Sequence, residues 1–414
     1  MGLIVQKYGG TSVAGADRIR NVAARIKRTT DDGHRVCVVV SAMGNTTDEL
    51  IGLAGQVAAD PHDREMDMLL TAGERISMAL LTMALIDAGQ GAKSFTGEQA
   101  GIITDDRHGR AKIVAVQATR VSQALDAGKV AIVAGFQGVS ATDDVTTLGR
   151  GGSDMTAVAL AAALQADVCE IYTDVPGVFT ADPRIVTNAR KLDNVSYDEM
   201  LELGTSGAQV LMSRCVEAAR NEGVPIHVRS SFTDEPGTWI RNEEEVTEKA
   251  VVAGVAYDRS EAKATLRGVR DQPGIAASIF RPLADAGINI DMIVQNTSAD
   301  GVTDVSFTLP KADLKAARDV LERIARDVGA NAVEADDGVA RISLVGAGMK
   351  THPGVAADMF DALAEAGINI EIISTSPIRI SCVIRAADIE RAVHVVHDRF
   401  RLHEPQIVEE NAVA

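Results

Sequence analysis

The first residues of the chain form a pattern suited to holding phosphate. An apolar run, Leu3–Val5, leads into Lys7-Tyr8-Gly9-Gly10-Thr11-Ser12, and a helical pattern begins at about Ala16. Glycines let backbone N–H groups approach an anion without an obstructing Cβ, and a helix N-terminus adds about half a positive charge. Lys7 supplies the formal charge that a migrating phosphoryl group needs. The segment predicts a phosphate site, with a tight turn after a buried strand as the alternative.

A second glycine cluster, Gly149-Arg150-Gly151-Gly152-Ser153-Asp154, precedes the apolar helical stretch Met155–Leu164. Ser153 or Asp154 could cap that helix, which is the structural explanation of their presence. A cap does not require Arg150, whose planar guanidinium suits a carboxylate or a phosphate. Asp154 could orient a lysine or a metal-bound nucleotide. We interpret the cluster as a ligand-binding helix N-terminus.

A third polar segment, Thr173–Arg184, follows the buried strand predicted at Cys169–Thr173. Open α/β sheets bind their ligands at the carboxyl ends of strands. Two proline-containing turns with two aspartates and an arginine would form a rigid loop that could enclose a nucleotide, and a surface loop with Asx turns is the alternative. Glu74 lies in an apolar helical context and could meet an ammonium group, unless it forms an ion pair within its helix.

Two other glycine patterns fail on spacing. In Gly89–Ser94 the residue before Lys93 is alanine, so the P-loop pattern is not met. The cluster that begins at Gly149 has Asp154 where the dinucleotide-binding pattern needs its third glycine. Neither a P-loop NTPase nor a dinucleotide-binding Rossmann enzyme is supported.

The elements that must position these residues alternate between strand and helix as far as about residue 230. Short apolar runs predict buried strands at Arg35–Ser41, Val130–Ala134, Cys169–Thr173 and Pro225–Arg229. Helical patterns lie between them at Thr46–Ala58, Glu65–Ala88, Gln117–Ala127, Asp154–Ala166 and Gly207–Glu222. Such alternation predicts an α/β domain, over residues 1–245, with a mainly parallel sheet covered on both faces.

The chain then repeats itself. The pairs Pro273-Gly274 and Gly287-Ile288 recur as Pro353-Gly354 and Gly367-Ile368, an offset of 80 positions in both cases. Each copy reads as strand, Pro-Gly turn, amphipathic helix, glycine stop and a further strand, which is typical of a ferredoxin-like βαββαβ module. We expect modules at 262–335 and 336–414. A duplicated spacer is the alternative, but Asn289 and its counterpart Asn369 beside a turn favour a ligand-facing edge.

Composition excludes several classes of function. The 414-residue chain has a net charge of -17 and a pI near 4.9, which disfavours nucleic acid or an anionic membrane as a partner. Its four cysteines lack metal-ligand spacing, so we expect neither a protein-held metal site nor a disulfide framework. No signal pattern is found, and the longest helical apolar stretch, Met155–Leu164, is about half a bilayer span. A cytoplasmic location is therefore expected.

Taken together, the three polar motifs and the duplicated module resemble aspartate kinases, and in particular those of the actinobacterial type. The resemblance runs in the same order over nearly the whole chain. It implies an amino acid kinase fold, an αβα sandwich, followed by two ACT domains, the second of which a strand from 250–261 could complete. It also implies transfer of the γ-phosphoryl group of ATP, which brings Mg²⁺ with it, to the β-carboxylate of L-aspartate. The product, 4-phospho-L-aspartate, begins the synthesis of lysine, threonine and methionine.

The resemblance assigns roles to individual residues. Lys7 with Gly9 and Gly10 should stabilise the transferring phosphoryl group, and Asp154 should organise Lys7 and the nucleotide end. The substrate side should comprise Thr47, Glu74 for the amino group, Arg150 for the α-carboxylate, Gly151, Gly152 and Ser153. The ATP side should comprise Tyr8, Ser41, Thr173, Asp174, Phe179, Thr180, Asp182, Pro183, Arg184 and Gln209. Relatives usually carry lysine at the last of these positions, so glutamine there loses a charge beside the nucleotide.

The resemblance also implies regulation. Lysine, threonine or both should bind the ACT domains, at residues Asp271, Gln272, Ile275, Ala276, Asn289, Ile290, Asp291, Gln295, Asn296, His352, Asn369 and Ile370. ACT domains normally pair across subunits, so we expect at least a homodimer, and some relatives add a short companion chain matching the C-terminal half. Two other interpretations remain: a kinase of glutamate or acetylglutamate, which the two ACT domains disfavour, and a non-catalytic amino-acid sensor, which Gln209 would suggest.

Overall fold

Parallel strands dominate the largest sheet of the protein. The computed structural model describes residues 2–208, 210–242, 251–296 and 301–405, which form an N-terminal unit (2–178, 191–204 and 210–242) and a C-terminal unit made of the rest. The large sheet of the N-terminal unit has the order β10-β12-β11-β9-β1-β2-β6-β3, and of its pairs only β11 with β12 is antiparallel among the described residues. Its strands are β1 Leu3–Tyr8, β2 Arg35–Val40, β3 Ala92–Phe95, β6 Val130–Ala134, β9 Val168–Thr173, β10 Asn194–Ser196, β11 Ile226–Ser230 and β12 Thr238–Arg241.

Both faces of this sheet are buried, as the near-continuous apolar strands predict. On one face Val36, Val38 and Val40 of β2 pack in a cluster that includes Ile19 and Ile26, and the intervening β2 residues are buried as well. The helices of this unit are α1 Ala16–Asp31, α2 Thr46–Val57, α3 Asp63–Asp87, α4 Thr119–Asp126, α5 Gly152–Leu164, α6 Tyr197–Thr205 and α7 Ser213–Glu222. The predicted α/β class with a mainly parallel sheet is confirmed.

A small second sheet in the same unit was not predicted. Its order is β5-β4-β7-β8, and its strands are β4 Ile102–Thr104, β5 Ile113–Val116, β7 Gln137–Val139 and β8 Val145–Thr147. Strands of three or four residues leave too short a pattern to recognise in the sequence. The sheet carries the chain from β6 back to the start of α5, and so helps to place the Gly149–Asp154 cluster.

Helix α3 corrects one expectation. At 25 residues it is longer and more extensively apolar than the Met155–Leu164 stretch, and by length and composition alone it could cross a membrane. Half of its most apolar window is buried inside the protein, and Leu81 and Leu85 pack in the core cluster of the large sheet. Contacts of this kind are typical of a core helix.

The C-terminal unit contains two four-stranded antiparallel sheets, each with two helices, and so confirms the ferredoxin-like modules. The first has the order β15-β16-β14-β17 and the second β13-β18-β20-β19. The first module comprises β14 Glu261–Arg270, α8 Ile275–Asp285, β15 Ile293–Gln295, β16 Val302–Pro310, α9 Leu314–Val328 and β17 Ala332–Asp336. The second comprises β13 Gly254–Asp258, β18 Val339–Val345, α10 Val355–Glu365, β19 Ile372–Ser376, β20 Arg379–Arg385 and α11 Ile389–Arg399.

The repeated glycines have the same backbone role in both modules. Gly274 and Gly354 precede α8 and α10 with φ of 91° and 105°, and Gly287 and Gly367 follow those helices with φ of 74° and 67°. Positive φ is nearly free of strain only for glycine, which explains why both copies keep it. The strand β13 pairs antiparallel with β18, with Ala256 opposite Ser343.

Candidate active site

Lys7 and Asp154 form an ion pair at the carboxyl end of β1. Lys7 Nζ lies 2.6 Å from Asp154 Oδ1, and both side chains are about nine-tenths buried, at 12% and 11% exposure. Lys7 is the next-to-last residue of β1, and Asp154 lies in the first turn of α5. A nearly desolvated pair of this kind holds the ammonium group in one place. It thus fixes a positive charge beside the glycine loop.

Four loops meet around this pair, because β9, β1, β2 and β6 are adjacent and parallel. Their carboxyl ends lie on one edge of the sheet, where such sheets bind ligands. The loops after β1 and β2 are joined by hydrogen bonds from Ser41 N to Tyr8 O, 3.1 Å, and from Gly44 N to Gly10 O, 3.0 Å. A Cβ on Gly10 would lie 2.8 Å from Ala42 O. Glycine at position 10 is therefore required by the packing of these two loops.

The Gly149–Asp154 cluster forms a tight turn into α5. Gly149 and Gly151 have φ of 74° and 69°, and a Cβ on Gly151 would lie 2.1 Å from Met212 Cγ. Gly151 occupies the position before the helix, without a side-chain cap, so the expected capping by Ser153 or Asp154 is wrong. The first N–H of α5, that of Gly152, donates to Gly149 O, 3.0 Å away. Without a capping side chain, the N–H groups of Ser153 and Asp154 that follow it remain donors for an anion. Arg150 is exposed at the tip of this turn.

Glu74 on α3 is almost fully buried, at 3% exposure. Its Oε1 accepts a hydrogen bond from Ala42 N, 3.2 Å, while Oε2 has no hydrogen-bond partner among the described residues. Burial raises the pKa of this carboxyl from 4.5 to about 7, and the hydrogen bond from Ala42 partly opposes the rise. The alternative of an ion pair within the helix is not observed in the described structure. Thr47 lies in the first turn of α2, half-buried.

Two residues that sequence reasoning missed support this edge of the sheet. Asp67 of α3 is fully buried and accepts hydrogen bonds from Gly109 N, 3.0 Å, and Thr147 Oγ1, 2.5 Å. Arg214 donates to Leu148 O at 3.2 Å and so holds the residue before Gly149. Asp67 could have been found from the sequence, because a single aspartate among methionines and leucines of a helix indicates a buried, hydrogen-bonded carboxylate. Nothing in the sequence around Arg214 indicates its contact.

The predicted ATP residues divide between different environments. Thr173 and Asp174 follow β9 at the same edge as Lys7, and Thr173 Oγ1 donates to Asp174 Oδ1, 3.0 Å. The Tyr8 side chain is fully buried and stacks on Tyr172, with ring centroids 4.7 Å apart. The expectation that this side chain contacts a nucleotide is therefore wrong, and any contact must come from the backbone. Gln209 lies outside the described residues.

The remaining predicted ATP residues, Phe179, Thr180, Asp182, Pro183 and Arg184, belong to the C-terminal unit. Arg184 is bonded to Asp182, with Nη2 at 2.7 Å from Oδ2, and these bonds hold the pKa of the Asp182 carboxyl below its usual value. Phe179 is half-buried and Pro183 exposed. Thr180 is fully buried and its hydroxyl contacts His397, 3.0 Å away, so its predicted direct contact with ATP is wrong.

Most of the predicted effector residues are exposed on the two modules. They are Asp271, Gln272, Ala276, Asn289, Asp291, Gln295, Asn296, His352 and Asn369, while Ile290 and Ile370 are half-buried. Ile275 is 5% exposed and packs in the core of the first module, so its side chain is not available to an effector. Asp291 forms an ion pair with Arg341, a buried arginine of β18.

Among the described side chains, one group has atoms close enough to hold a metal ion by themselves: His397, Asp398 and His403, with ligand atoms within 4.8 Å of one another. Asp398 and His403 are exposed. The group lies in the C-terminal unit.

Comparison with known proteins decides between these interpretations. The model of the amino acid kinase family matches residues 2–230, and an ACT domain model matches 267–324 and 342–400. The aspartokinase of Mycolicibacterium smegmatis is 58% identical over 407 residues, covering 97% of both chains. This chain belongs to the aspartokinase family. The aspartokinase of Corynebacterium glutamicum is similar to it at 57% identity over the same share of each chain.

Solved aspartokinases also share its fold. The structure of E. coli aspartokinase III in complex with aspartate and ADP (R-state) matches 96% of this chain and 99% of its own, with a TM-score of 0.81 and 28% identity. The resemblance drawn from the motifs is thus confirmed. This aspartokinase is an enzyme, a kinase that phosphorylates aspartate, and its ACT domains are those of an allosteric enzyme of amino-acid biosynthesis.

Proposed function

We propose that this aspartokinase transfers the γ-phosphoryl group of ATP to the β-carboxylate of L-aspartate at the edge of the sheet marked by Lys7 and Asp154. The buried ion pair between these two residues carries the proposal, because it places a fixed positive charge where the loops of four parallel strands meet. The backbone N–H of Gly10 and the N-terminus of α5 add donors on either side; the N–H of Gly9 is bonded to Tyr172 O, 3.2 Å away. Such an arrangement suits a phosphoryl group on which negative charge develops during transfer.

The reaction requires no general base, because the acceptor carboxylate is already ionised at neutral pH. Lys7 stabilises the transferring group, and Asp154 keeps its ammonium in place. Positioning and charge stabilisation then supply the catalysis. Mg²⁺ arrives with the nucleotide, since it binds largely through phosphates and water with one or two carboxylates, and Asp174 at the end of β9 is an exposed carboxylate that fits this role.

Aspartate is held by groups of opposite charge. Glu74 offers the partnerless Oε2 to the substrate ammonium, and Arg150 offers a planar guanidinium to the α-carboxylate. Thr47 and the turn Gly151–Ser153 complete the substrate side. The loss of solvent around Glu74 strengthens its attraction for an ammonium group. Binding of the substrate therefore favours the ionised form of Glu74.

The proposed nucleotide residues are Ser41, Thr173 and Asp174. The same role is proposed for Phe179, Asp182, Pro183 and Arg184. The E. coli relative in complex with aspartate and ADP supports ATP as the phosphoryl donor. Gln209 stands where relatives usually carry a lysine, so a positive charge beside the nucleotide is lost.

We propose domain boundaries at 1–245, 262–335 and 336–414 for the kinase and the two ACT domains.

Lysine and threonine are the proposed effectors, acting through the exposed turns of the ACT modules. A structure of E. coli aspartokinase III in complex with lysine and aspartate (T-state) is similar to this chain, with a TM-score of 0.74 and 27% identity, and supports lysine. We further propose a cytoplasmic enzyme that forms at least a homodimer through its ACT domains.

An ADP-release assay with aspartate, glutamate and acetylglutamate tests this proposal. Of the three acceptors, we expect only aspartate to be phosphorylated. Turnover should be lost in Asp154→Asn, which keeps the shape of the side chain but leaves Lys7 without its charged partner. Lys27→Ala is the matched control, because Lys27 and Asp31 form an exposed ion pair on α1, 2.9 Å long. Turnover by Asp154→Asn equal to that of Lys27→Ala would show that the Lys7 pair is not the catalytic site.

A further inference from the structure

The segment Phe179–Arg190 is held by a buried polar contact that the reaction itself does not explain. Thr180 is fully buried, and its carbonyl accepts a hydrogen bond from Val255 N of β13, 2.7 Å. Its hydroxyl accepts one from Arg190 N, 3.0 Å, which closes the segment on itself. The same hydroxyl lies 3.0 Å from Nε2 of His397. Thr180 is thus the point at which the segment is attached to the second ACT module.

His397 lies near the end of α11 and is fully buried. Burial lowers the pKa of its imidazole, so the ring is neutral at neutral pH, with one nitrogen a donor and the other an acceptor. Nδ1 has no hydrogen-bond partner among the described residues, and the Asp398 carboxylate lies 3.9 Å away. The contact to Thr180 is the hydrogen bond made by Nε2 of this ring. Loss of that contact would leave a buried nitrogen without a partner, which costs free energy.

A second contact anchors the same segment two residues further on. Tyr257 of β13 donates a hydrogen bond from its hydroxyl to Asp182 Oδ2, 3.2 Å. The Asp182 carboxylate also accepts a hydrogen bond from Arg184. Ala181, between the two anchors, packs in the core of the second ACT module. The segment is consequently placed by the regulatory module from both its backbone and its side chains.

We propose that His397 is a positioning residue for nucleotide binding, which acts by holding Thr180 and with it the segment Phe179–Arg190. The inference rests on the proposed function in one respect, namely that this segment contributes to nucleotide binding. The ACT module then contributes a side chain to the binding of ATP in the absence of any effector. Aspartate binding, which depends on residues of the N-terminal unit, is not affected by the loss of this contact.

The variant His397→Phe tests the proposal, because it keeps a buried ring and removes the hydrogen bond. We expect the Kd for ADP, measured by calorimetry on the full-length protein, and the KM for ATP to rise about 3- to 10-fold, the range for one hydrogen bond. The KM for aspartate should stay unchanged. His397→Gln retains a polar group that can reach Thr180 and should restore most of the affinity. His394→Phe, an exposed position on the same helix, is the matched control and should have no effect.

Thr180→Val keeps the shape of the residue, removes the hydroxyl and tests the same contact from the other side. If the two residues act as a pair, the double variant should bind ADP no more weakly than the weaker single variant. Unchanged ADP affinity in a folded His397→Phe protein, or equal increases in KM for ATP and aspartate, would overturn the inference. Additive losses in the double variant would overturn it as well.

Arg184→Ala separates this inference from the function on which it rests. Weaker ADP binding in Arg184→Ala together with unchanged binding in His397→Phe overturns the positioning role alone. Unchanged ADP binding in both variants overturns the assignment of the segment to the nucleotide and the positioning role with it. Should His397→Phe fail to fold, as judged by circular dichroism, His397→Gln and Thr180→Val provide the same comparison.

Discussion

Replacement of Glu74 by glutamine should stabilise the protein at alkaline pH while it weakens the binding of aspartate. Burial raises the pKa of Glu74 from 4.5 to about 7. Between these two values the folded protein keeps a proton that the unfolded chain has released, so Glu74 lowers the stability progressively as the pH rises through this window. Below pH 4.5 the carboxyl is protonated in both states and has no such effect. Glutamine cannot ionise and therefore removes the penalty.

The size of the effect follows from the two pKa values. The difference between 4.5 and 7 corresponds to about 3 kcal/mol once both states are ionised, since one pKa unit is about 1.4 kcal/mol. About two fifths of this penalty is present at about pH 5.5, so the stability of the variant relative to the wild type should grow by about 2 kcal/mol between about pH 5.5 and about pH 8.5. Glutamine keeps an oxygen for the Ala42 N–H, so the comparison between pH values isolates the charge.

Urea unfolding at these two pH values, followed by tryptophan fluorescence, measures this difference. The single tryptophan of the chain, Trp239, lies in β12 of the large sheet and reports on the unit that contains Glu74. It stacks on His227, whose pKa burial lowers to about 4, so the probe does not titrate in this range. Glu49→Gln, an exposed change on α2, is the control. A stability difference for Glu74→Gln that is independent of pH, or that grows towards acid, would refute the reasoning.

The kinetics of the same variant test the role of Glu74. In the wild type, kcat/KM for aspartate should fall as the pH drops below about 7, because the protonated carboxyl no longer attracts the substrate ammonium. Glu74→Gln should have a lower kcat/KM and lose this pH dependence. A variant that retains both the wild-type value and its acid limb would exclude Glu74 from the substrate site.

Four further predictions concern the catalytic loops and the effectors. Lys7→Ala should lower kcat about 10²- to 10³-fold with little change in fold, as for other preorganised donors, and normal turnover would contradict the assignment. Gly10→Ala should lower kcat/KM for ATP, because the new Cβ would lie 2.8 Å from Ala42 O. Gly15→Ala should behave as wild type, because no atom lies within 4 Å of a Cβ at that position. Equal kcat/KM values in the two variants would contradict the role of packing at Gly10. Gln209→Lys should lower the KM for ATP, and an unchanged KM would mean that another cation has replaced the missing charge. Lysine and threonine together should inhibit more than either alone, by a coupling of about 1–3 kcal/mol, and full activity with both in excess would remove this form of regulation.

The sequence predicted the long and regular elements well. Strand β2 and strand β6 were expected almost at their observed bounds, and the duplicated module emerged from a constant offset, because both signals depend on local patterns of many residues. The three-residue strand β10 and the small sheet around β4 were missed, since strands of this length have no measurable period. The predicted capping of α5 was also wrong, because Gly151 occupies the cap position and Asp154 pairs with Lys7.

Within the site, too, some residues could be assigned from the sequence and others could not. Lys7 and Asp154 could be chosen from the sequence because a charged residue among glycines at a strand or helix terminus has few purely structural explanations. Thr180 could not be assigned correctly, because its partner His397 lies 217 residues away in the chain. Tyr8 was misassigned since a tyrosine next to a glycine loop gives no indication of which way its side chain turns.

The sequence by itself determined the chemistry available to this protein: a lysine, an arginine and two glycine loops at the termini of elements, ahead of a duplicated regulatory module. The tertiary structure decided which of these residues meet. The order of β9, β1 and β2 brings Lys7 to Asp154, and the burial of α3 raises the pKa of Glu74. The physical reason is the separation along the chain of the residues that interact. The type of an element follows from neighbouring residues, whereas charge pairing and desolvation depend on contacts between distant parts of the chain.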